Sequence, residues 1–256
     1  MVRIILSGIG GAMGKVVAKQ SGARDDFAVV AGIDPNTQPA EGCPIFSSAG
    51  DLPDDWGQNA DVIVDFSHPS ALEDTLALAE RLRLPLVLAT TGLSEGQVSA
   101  VGRTAQTVPI FFSFNMSLGI NLMSALAKTA ARILGGQFDV EIIEKHHNRK
   151  IDAPSGTAIL LANAVKEALP YSPDLKYERH SSRQRRGQAE IGVHSIRGGT
   201  IVGEHELLFA GQDETLRIVH TAYSREVFST GALSAAQFIL DKPAGLYDMN
   251  DLIKQL

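Results

Sequence analysis

The stretch RIILSGIGGAMG, Arg3 to Gly14, decides how this chain folds. Arg3 to Ser7 is an apolar run with the length and composition of a strand buried on both faces. It stops at Gly8, and the glycine-rich turn Gly8–Gly14 opens into KVVAKQSGA, a helical segment. Glycines at a strand-to-helix turn let the backbone approach a pyrophosphate, whose charge is met by the helix N-terminus. Read as GxGxxG, the match is incomplete: Gly8 and Gly10 fit, but Met13 stands where the third glycine belongs. Read as GxxGxxG, the set Gly8, Gly11 and Gly14 is complete. A purely structural turn would carry the same glycines, so the loop by itself leaves both readings open.

Asp34 narrows them. It ends the next strand, DFAVVAGID, 20 residues beyond Gly14, where an acid receives the adenosine ribose hydroxyls. An acid there favours a free 2′-hydroxyl and repels a 2′-phosphate, and Pro35 and Asn36 bring no guanidinium to offset it. The expected cofactor is therefore NADH. NADPH stays open, because Lys15, Arg183, Arg185 and Arg186 are cations able to meet a phosphate.

Beyond a Pro/Gly-rich loop, strand and helix keep alternating: ADVIVDFSHPS then ALEDTLALAERLR, PLVLATTGLS then EGQVSAVGRTAQ, and PIFFSFNMS. That rhythm predicts an α/β fold with an N-terminal Rossmann-like, doubly wound parallel sheet. Ligands of such sheets lie beyond the carboxyl ends of the strands. Two further strand ends therefore join the cofactor candidates: Ala89-Thr90-Thr91 and Ser113-Phe114-Asn115-Met116. Thr90, Thr91 and Asn115 offer hydrogen bonds, and Phe114 or Met116 an apolar wall; ordinary loop polarity and core packing are the competing reading.

From Leu118 the pattern changes. A long amphipathic helix, SLGINLMSALAKTAARIL, is followed by the strand FDVEIIEKHH, a helix TAILLANAVKEAL, and a polar segment. Three alternating strands with short glycine turns come next, IGVHSIRG, TIVGEHELLFAG and ETLRIVHTAYS. This predicts a second α+β domain with a mixed, mostly antiparallel sheet. The final helix, STGALSAAQFILDK, resembles those of the first half and is expected to return to it. The expected division is 1–117 plus 227–256 for dinucleotide binding, and 118–226 for substrate binding.

Composition removes several classes of function. With 256 residues, 44% of them hydrophobic, the chain can build one large or two modest cores. A formal net charge of −6 argues against a general polyanion binder. The basic run at 183–186 lacks interleaved aromatics and reads as a solvated loop. The single cysteine, Cys43, fits a reducing compartment. No signal peptide or membrane-spanning run is read in the sequence, so a cytoplasmic protein with no membrane or nucleic-acid partner is expected.

The densest chemistry lies in EKHHNRKIDAPSGTA, Glu144 to Ala158. A histidine near its working pKa beside a lysine suits proton transfer. A helix start at Ser155-Gly156-Thr157 suits an anion, so the run reads as a loop handling a carboxylate substrate. Solvated histidines are the plain alternative. A metal is not expected, because the spacing matches neither HExxH nor paired cysteines.

The ordered set of GIGGAMG at Gly8–Gly14, VDFSHP at Val64–Pro69, TTG at Thr90–Gly92, FNMSLG at Phe114–Gly119, the 144–158 run and RGGTIVGEHELLF at Arg197–Phe209 resembles the 4-hydroxy-tetrahydrodipicolinate reductase family along the whole chain. The resemblance implies reduction of 4-hydroxy-tetrahydrodipicolinate in diaminopimelate and lysine biosynthesis, and a homotetramer assembled through the second sheet. It implies His146 as proton donor and acceptor and Lys150 as a second proton donor. It implies substrate contacts from His147, Lys150, Gly156 and Thr157. Cofactor contacts follow from Gly8, Ile9, Gly10, Gly11, Ala12, Met13, Asp34, Ala89 to Thr91, and Ser113 to Met116. Two departures, Ala12 and Pro35 where many relatives carry a basic residue, remove positive charge near the phosphates. The rival classes are another two-domain oxidoreductase acting on a small amino or hydroxy acid, which would not need the 144–158 run, and a non-catalytic NAD-binding regulator, which would have no need of His146 and Lys150.

Overall fold

A computed structural model describes residues 1–36 and 42–255; most of the Pro/Gly-rich loop after Asn36 lies outside them. The chain separates into two compact units, Met1–Leu118 with Arg225–Leu256, and Gly119–Ser224.

The first unit is built on β1 (Val2–Ser7), α1 (Ala12–Gly22), β2 (Phe27–Ile33), β3 (Ile45–Phe46), α2 (Trp56–Asn59), β4 (Val62–Asp65), α3 (Leu72–Leu82), β5 (Leu86–Leu88), α4 (Glu95–Thr104) and β6 (Pro109–Phe112). The second contains α5 (Leu118–Leu134, starting at the boundary), β7 (Asp139–His146), α6 (Gly156–Ala168), β8 (Asp174–Lys176), β9 (Glu190–Arg197), β10 (Gly203–Ala210) and β11 (Thr215–Ala222). The chain then returns to the first unit with α7 (Glu226–Ile239), β12 (Gly245–Tyr247) and α8 (Met249–Gln255).

In the first unit the seven strands run in the order β12-β6-β5-β4-β1-β2-β3, and every pairing is parallel. Alternation along β1 shows why the sheet is doubly wound. Ile5 joins a core with Leu72, Leu76 and Leu82 of α3 and Val101 of α4. Ile4 and Leu6 point the other way, into a core with Val17 of α1, Leu233 and Ala236 of α7 and Leu252 of α8. Each fully buried Leu or Ile contributes about 1.5–3 kcal/mol relative to exposure, so neither face tolerates a polar register. The sequence reading anticipated five of these strands. The two it missed, β3 and β12, are two and three residues long, too short to show a period.

The second sheet has the order β11-β10-β7-β9-β8. It is mixed as expected, with two antiparallel and two parallel strand pairings. β10 pairs antiparallel with β7 and β11, while β9 pairs parallel with β7 and β8. The parallel pairs arise because α6 and the polar segment carry the chain back from the end of β7, as a parallel connection requires. Helices α5 and α6 cover one face, packing Met123, Ala127, Leu161 and Val165 against Val140, Ile142, Val193, Leu207 and Phe209.

Candidate active site

The turn after β1 is shaped by close approach. Gly8 has φ +76, and a Cβ there would lie 2.7 Å from the Phe66 carbonyl oxygen. A Cβ on Gly14 would lie 2.1 Å from the Gly8 carbonyl oxygen, so α1 starts tight against the turn. Gly11 is the N-cap of α1 and brings no side chain to its first amides. Ile9 packs over Gly32 of β2, and Gly11 and Ala12 are exposed. The Gly10 amide donates to Asp34 Oδ2 at 3.0 Å, and the Asn36 amide to Oδ1 at 2.9 Å. Gly8, Gly11 and Asp34 line a cleft of ≈ 470 Å³ together with Asn36, Ser67 and His68. Its lining among the described residues includes Asp34 and Asp74 and no lysine or arginine.

The other two strand ends differ from one another. At β5, Ala89 and Thr90 are buried and Thr91 is exposed; the Thr90 hydroxyl donates to the fully buried Asp65 carboxylate at 2.5 Å. After β6, the Ser113 hydroxyl donates to the Asn115 carbonyl at 2.9 Å, and the Ser117 amide donates to Asn115 Oδ1 at 2.9 Å. Phe114 is 58% exposed and rests edge-on against Phe112, whereas Met116 is 3% exposed and belongs to the core. Of the two apolar-wall candidates, Phe114 is thus the one with an accessible side chain.

In the second unit the alternation that buries Val140 and Ile142 continues along β7. Glu144 and His146 therefore also fall on the helix-covered face. Glu144 is 0% exposed. Its Oε1 accepts from Arg197 Nη2 at 2.7 Å and from the Ser155 amide at 3.1 Å. Its Oε2 meets Arg197 Nη1 at 2.8 Å and His146 Nδ1 at 2.5 Å. Arg197 also donates to the Asp152 carbonyl at 2.6 Å, and Lys150 Nζ pairs with Asp152 Oδ1 at 2.9 Å. The Ser155 hydroxyl caps α6 by accepting the Ala158 amide at 3.2 Å, and lies 3.1 Å from His205 Nε2. His205 packs edge-on to His146, with ring centroids 5.1 Å apart. Gly156 starts α6 exposed, Thr157 follows half-buried, and His147 has a buried Nδ1 with no hydrogen-bond partner. His146, Lys150 and the start of α6 are thus joined in one hydrogen-bonded and ion-paired group.

Electrostatics assigns charges within it. Burial pushes the Glu144 carboxyl upward, but hydrogen bonds from Arg197, Ser195 and His146 outweigh that and hold it at about 2. Burial lowers His146, assisted by the nearby Lys150 and Arg197 cations and opposed by Glu144. Burial takes His205 down to about 3. At neutral pH the group is a carboxylate, a guanidinium and two neutral imidazoles.

Sequence reasoning placed Ser155 at the anion-binding helix start but assigned no role to Glu144, Arg197 or His205. The i, i+2 spacing of Glu144 and His146 carried a signal for the first; Arg197 and His205 come from strands more than fifty residues away in sequence. The arginines at 183–186 also separate. Arg186 is held by Glu141 and Asp139, at 3.0 and 2.7 Å, while Arg183 and Arg185 are exposed. Among the described residues no group of three His, Cys, Asp or Glu side chains is placed to hold a metal ion.

Residues 2–116 match the family model for the N-terminus of dihydrodipicolinate reductase, and residues 119–253 the model for its C-terminus. A 4-hydroxy-tetrahydrodipicolinate reductase of Caldanaerobacter subterraneus is 47% identical over 255 residues, covering 100% of this chain and 99% of that protein. One from Clostridium novyi is 44% identical, covering 99% of each. The solved structure of a dipicolinate-bound dihydrodipicolinate reductase from Paenisporosarcina superposes with a TM-score of 0.80 at 26% identity, over 98% of this chain and 99% of that one. Aspartate dehydrogenase of Thermotoga maritima, with a TM-score of 0.54 at 12% identity over 95% of this chain and 98% of that one, shares the fold alone. This chain belongs to the dihydrodipicolinate reductase family and is an NAD(P)H-dependent oxidoreductase.

Proposed function

We propose that this chain reduces 4-hydroxy-2,3,4,5-tetrahydrodipicolinate to 2,3,4,5-tetrahydrodipicolinate in the diaminopimelate route to lysine, with NADH as the favoured reductant and NADPH as the second. The reading is carried by the group at the end of β7, where a neutral imidazole, a lysine amine and an exposed helix start are tied together. The first unit is the dinucleotide domain in this reading. Gly8 to Met13, Asp34, Ala89 to Thr91 and Ser113 to Met116 contact the cofactor.

The residues present fit a dinucleotide. A turn whose glycines have no room for a Cβ, an N-cap without a side chain, and a carboxylate at the next strand end are the parts that hold a pyrophosphate and a ribose. Each Asp34 oxygen accepts one backbone amide and has a further lone pair for a ribose hydroxyl. The acids and missing cations of the cleft lining support NADH over NADPH. When bound, the nicotinamide supplies a hydride.

The second unit handles the dicarboxylate. Gly156 and Thr157, at the positive end of α6, and the Lys150 amine attract a carboxylate, and His147 lies at the end of β7 beside them. Negative charge that develops on the heterocycle as hydride arrives is met by Lys150, and a proton is relayed through His146 Nε2, the ring nitrogen not engaged with Glu144, which first takes it up from solvent to form the imidazolium. A general acid also assists departure of the 4-hydroxyl as water. The second sheet is the surface proposed for homotetramer assembly. Opposite its helices it carries Ile196 and Val219, 46% and 51% exposed. No helix among the described residues is long and apolar enough to cross a membrane, and the free Cys43 suits the reducing cytoplasm proposed as the compartment.

Steady-state oxidation of NADH and NADPH, with the condensation product of pyruvate and aspartate semialdehyde as substrate, tests this reading. A higher kcat/KM with NADH is expected, and no oxidation of either cofactor overturns the assignment.

A further inference from the structure

Glu144 has no step in the reaction just described, yet it holds His146 and the residue before α6 directly and reaches Lys150 through Arg197 and Asp152. It stands two residues before His146 on one face of β7, fully buried. Two of its partners, the Arg197 guanidinium and the Ser155 amide, are groups that only donate. The carboxylate is therefore an acceptor on both oxygens, and the His146 nitrogen 2.5 Å away must donate to it. That places the proton of the neutral ring on Nδ1 and leaves Nε2 as the sole site for proton exchange. Nε2 lies over Gly203, where a Cβ would stand 3.2 Å away, so at that position β10 sets no side chain against it. The same carboxylate holds the first residue before α6 through the Ser155 amide. Arg197 in turn holds the Asp152 carbonyl, and Asp152 pairs with Lys150.

Resting on the role read for His146, we infer that Glu144 is the positioning residue of this site. It locks His146 in the Nδ1–H tautomer, so that Nε2 is the nitrogen that takes up a proton to form the imidazolium and passes it to substrate, and it sets that ring against the Lys150 loop and the α6 N-terminus. Arg197 completes the arrangement by keeping Glu144 ionised. The groups that bear on the ring are Glu144 on its own strand, Arg197 from β9, His205 from β10, and Lys150 with Asp152 from the loop.

Glu144→Gln keeps the volume and removes the charge. Facing Arg197, the amide turns its oxygen to the guanidinium and its NH2 to His146, which drives the ring to the Nε2–H tautomer. Nitrogen NMR of labelled His146 in the whole protein is expected to show Nδ1–H in the wild type and Nε2–H in Glu144→Gln. kcat is expected to fall by roughly 10²–10⁴-fold, the size of a lost general-acid role, with NADH binding and the thermal midpoint measured alongside. The limb of the pH–rate profile set by His146 is expected to move to lower pH, because the carboxylate that favours the imidazolium is gone. Glu144→Asp keeps the charge and is expected to hold that limb nearer the wild-type position.

A neutral wild-type ring whose single proton sits on Nε2 overturns the inference without any variant. So does a folded Glu144→Gln protein with an unmoved limb and unmoved tautomer, whose lost activity merely tracks lost stability. The tautomer measurement needs no turnover. If the expected switch is seen while neither cofactor is oxidised with the substrate, the function assignment fails and the positioning role stands.

Discussion

The turn after β1 and the end of β7 solve similar problems with opposite materials. In the function proposed, both hold negatively charged groups at a helix start. The first does so with backbone: glycines that leave no Cβ between Gly8, Gly14 and Phe66, and an N-cap with no side chain. The second does so with side chains: a buried carboxylate, a guanidinium and two imidazoles around the capped start of α6. A backbone cradle binds but has no proton to give. A side-chain cluster can move protons, and in exchange it depends on every buried charge keeping its partner. The two regions should therefore fail in different ways.

The largest effect is expected at the side-chain site. Lys150→Ala removes a cation, the proposed second proton donor, whose side chain is largely buried and paired to Asp152. Turnover should fall by ~10²–10⁴-fold, and NADH affinity, which the proposed function assigns to the other unit, should hold. Near-wild-type kcat in this variant would take Lys150 out of the mechanism.

Next comes the ion pair behind it. Arg197→Met leaves the fully buried Glu144 without its bidentate partner, and breaking such a pair costs about 3–5 kcal/mol of stability. Equilibrium denaturation of the variant reads this directly. A loss below about 1 kcal/mol would mean that Glu144 finds another donor or takes up a proton at little cost.

Acid should find the same region. The unfolded chain protonates Glu144 near 4.5, whereas the folded protein holds it at about 2. Its contribution, on the order of 3 kcal/mol, is present above pH 4.5 and lost as pH falls towards 2. His205 acts over a higher window. Kept neutral down to about 3 when folded but titrating near 6.5 when unfolded, it makes the folded state less stable as pH drops below 6.5. Denaturant midpoints should therefore decline from about pH 6.5 downwards; a flat profile between pH 7 and 4.5 would contradict the His205 assignment, and no further loss between pH 4.5 and 2 the Glu144 assignment.

The smallest effect tests the backbone site. Gly8→Ala places a Cβ 2.7 Å from the Phe66 carbonyl oxygen at φ +76, a strain of roughly 1–3 kcal/mol. Titration of NADH by fluorescence should show weakened binding, with the acid transition of the second unit unmoved. Unchanged affinity would show that the turn does not need its present shape.

How much of this could be read beforehand follows the same division. The glycine turn is local: Gly8, Gly11 and Gly14 lie within seven residues, and their spacing reports the geometry without a partner. Five of the seven parallel strands were legible for the same reason, as apolar runs between turns. β3 and β12 escaped because two or three residues show no period and are strands only by their neighbours. The run from Glu144 to Ala158 announced a reactive loop, and His146, Lys150 and the α6 start do come together. The group that orders them did not announce itself, since Arg197 and His205 arrive from other strands of the sheet.

By itself, then, the sequence determined the alternation of strands and helices, the family, the glycine cradle and the acid after it, because each is written in short-range spacing. Tertiary structure alone decided that the second sheet divides its pairings evenly, that Arg186 is tied up by Glu141 and Asp139, and that Met116 is core while Phe114 is exposed. It also decided that Glu144 is fully buried and ionised, with its donors drawn from three separate segments. Burial and charge pairing are properties of what surrounds a residue in space, and the neighbours that set them here lie up to fifty-three positions along the chain.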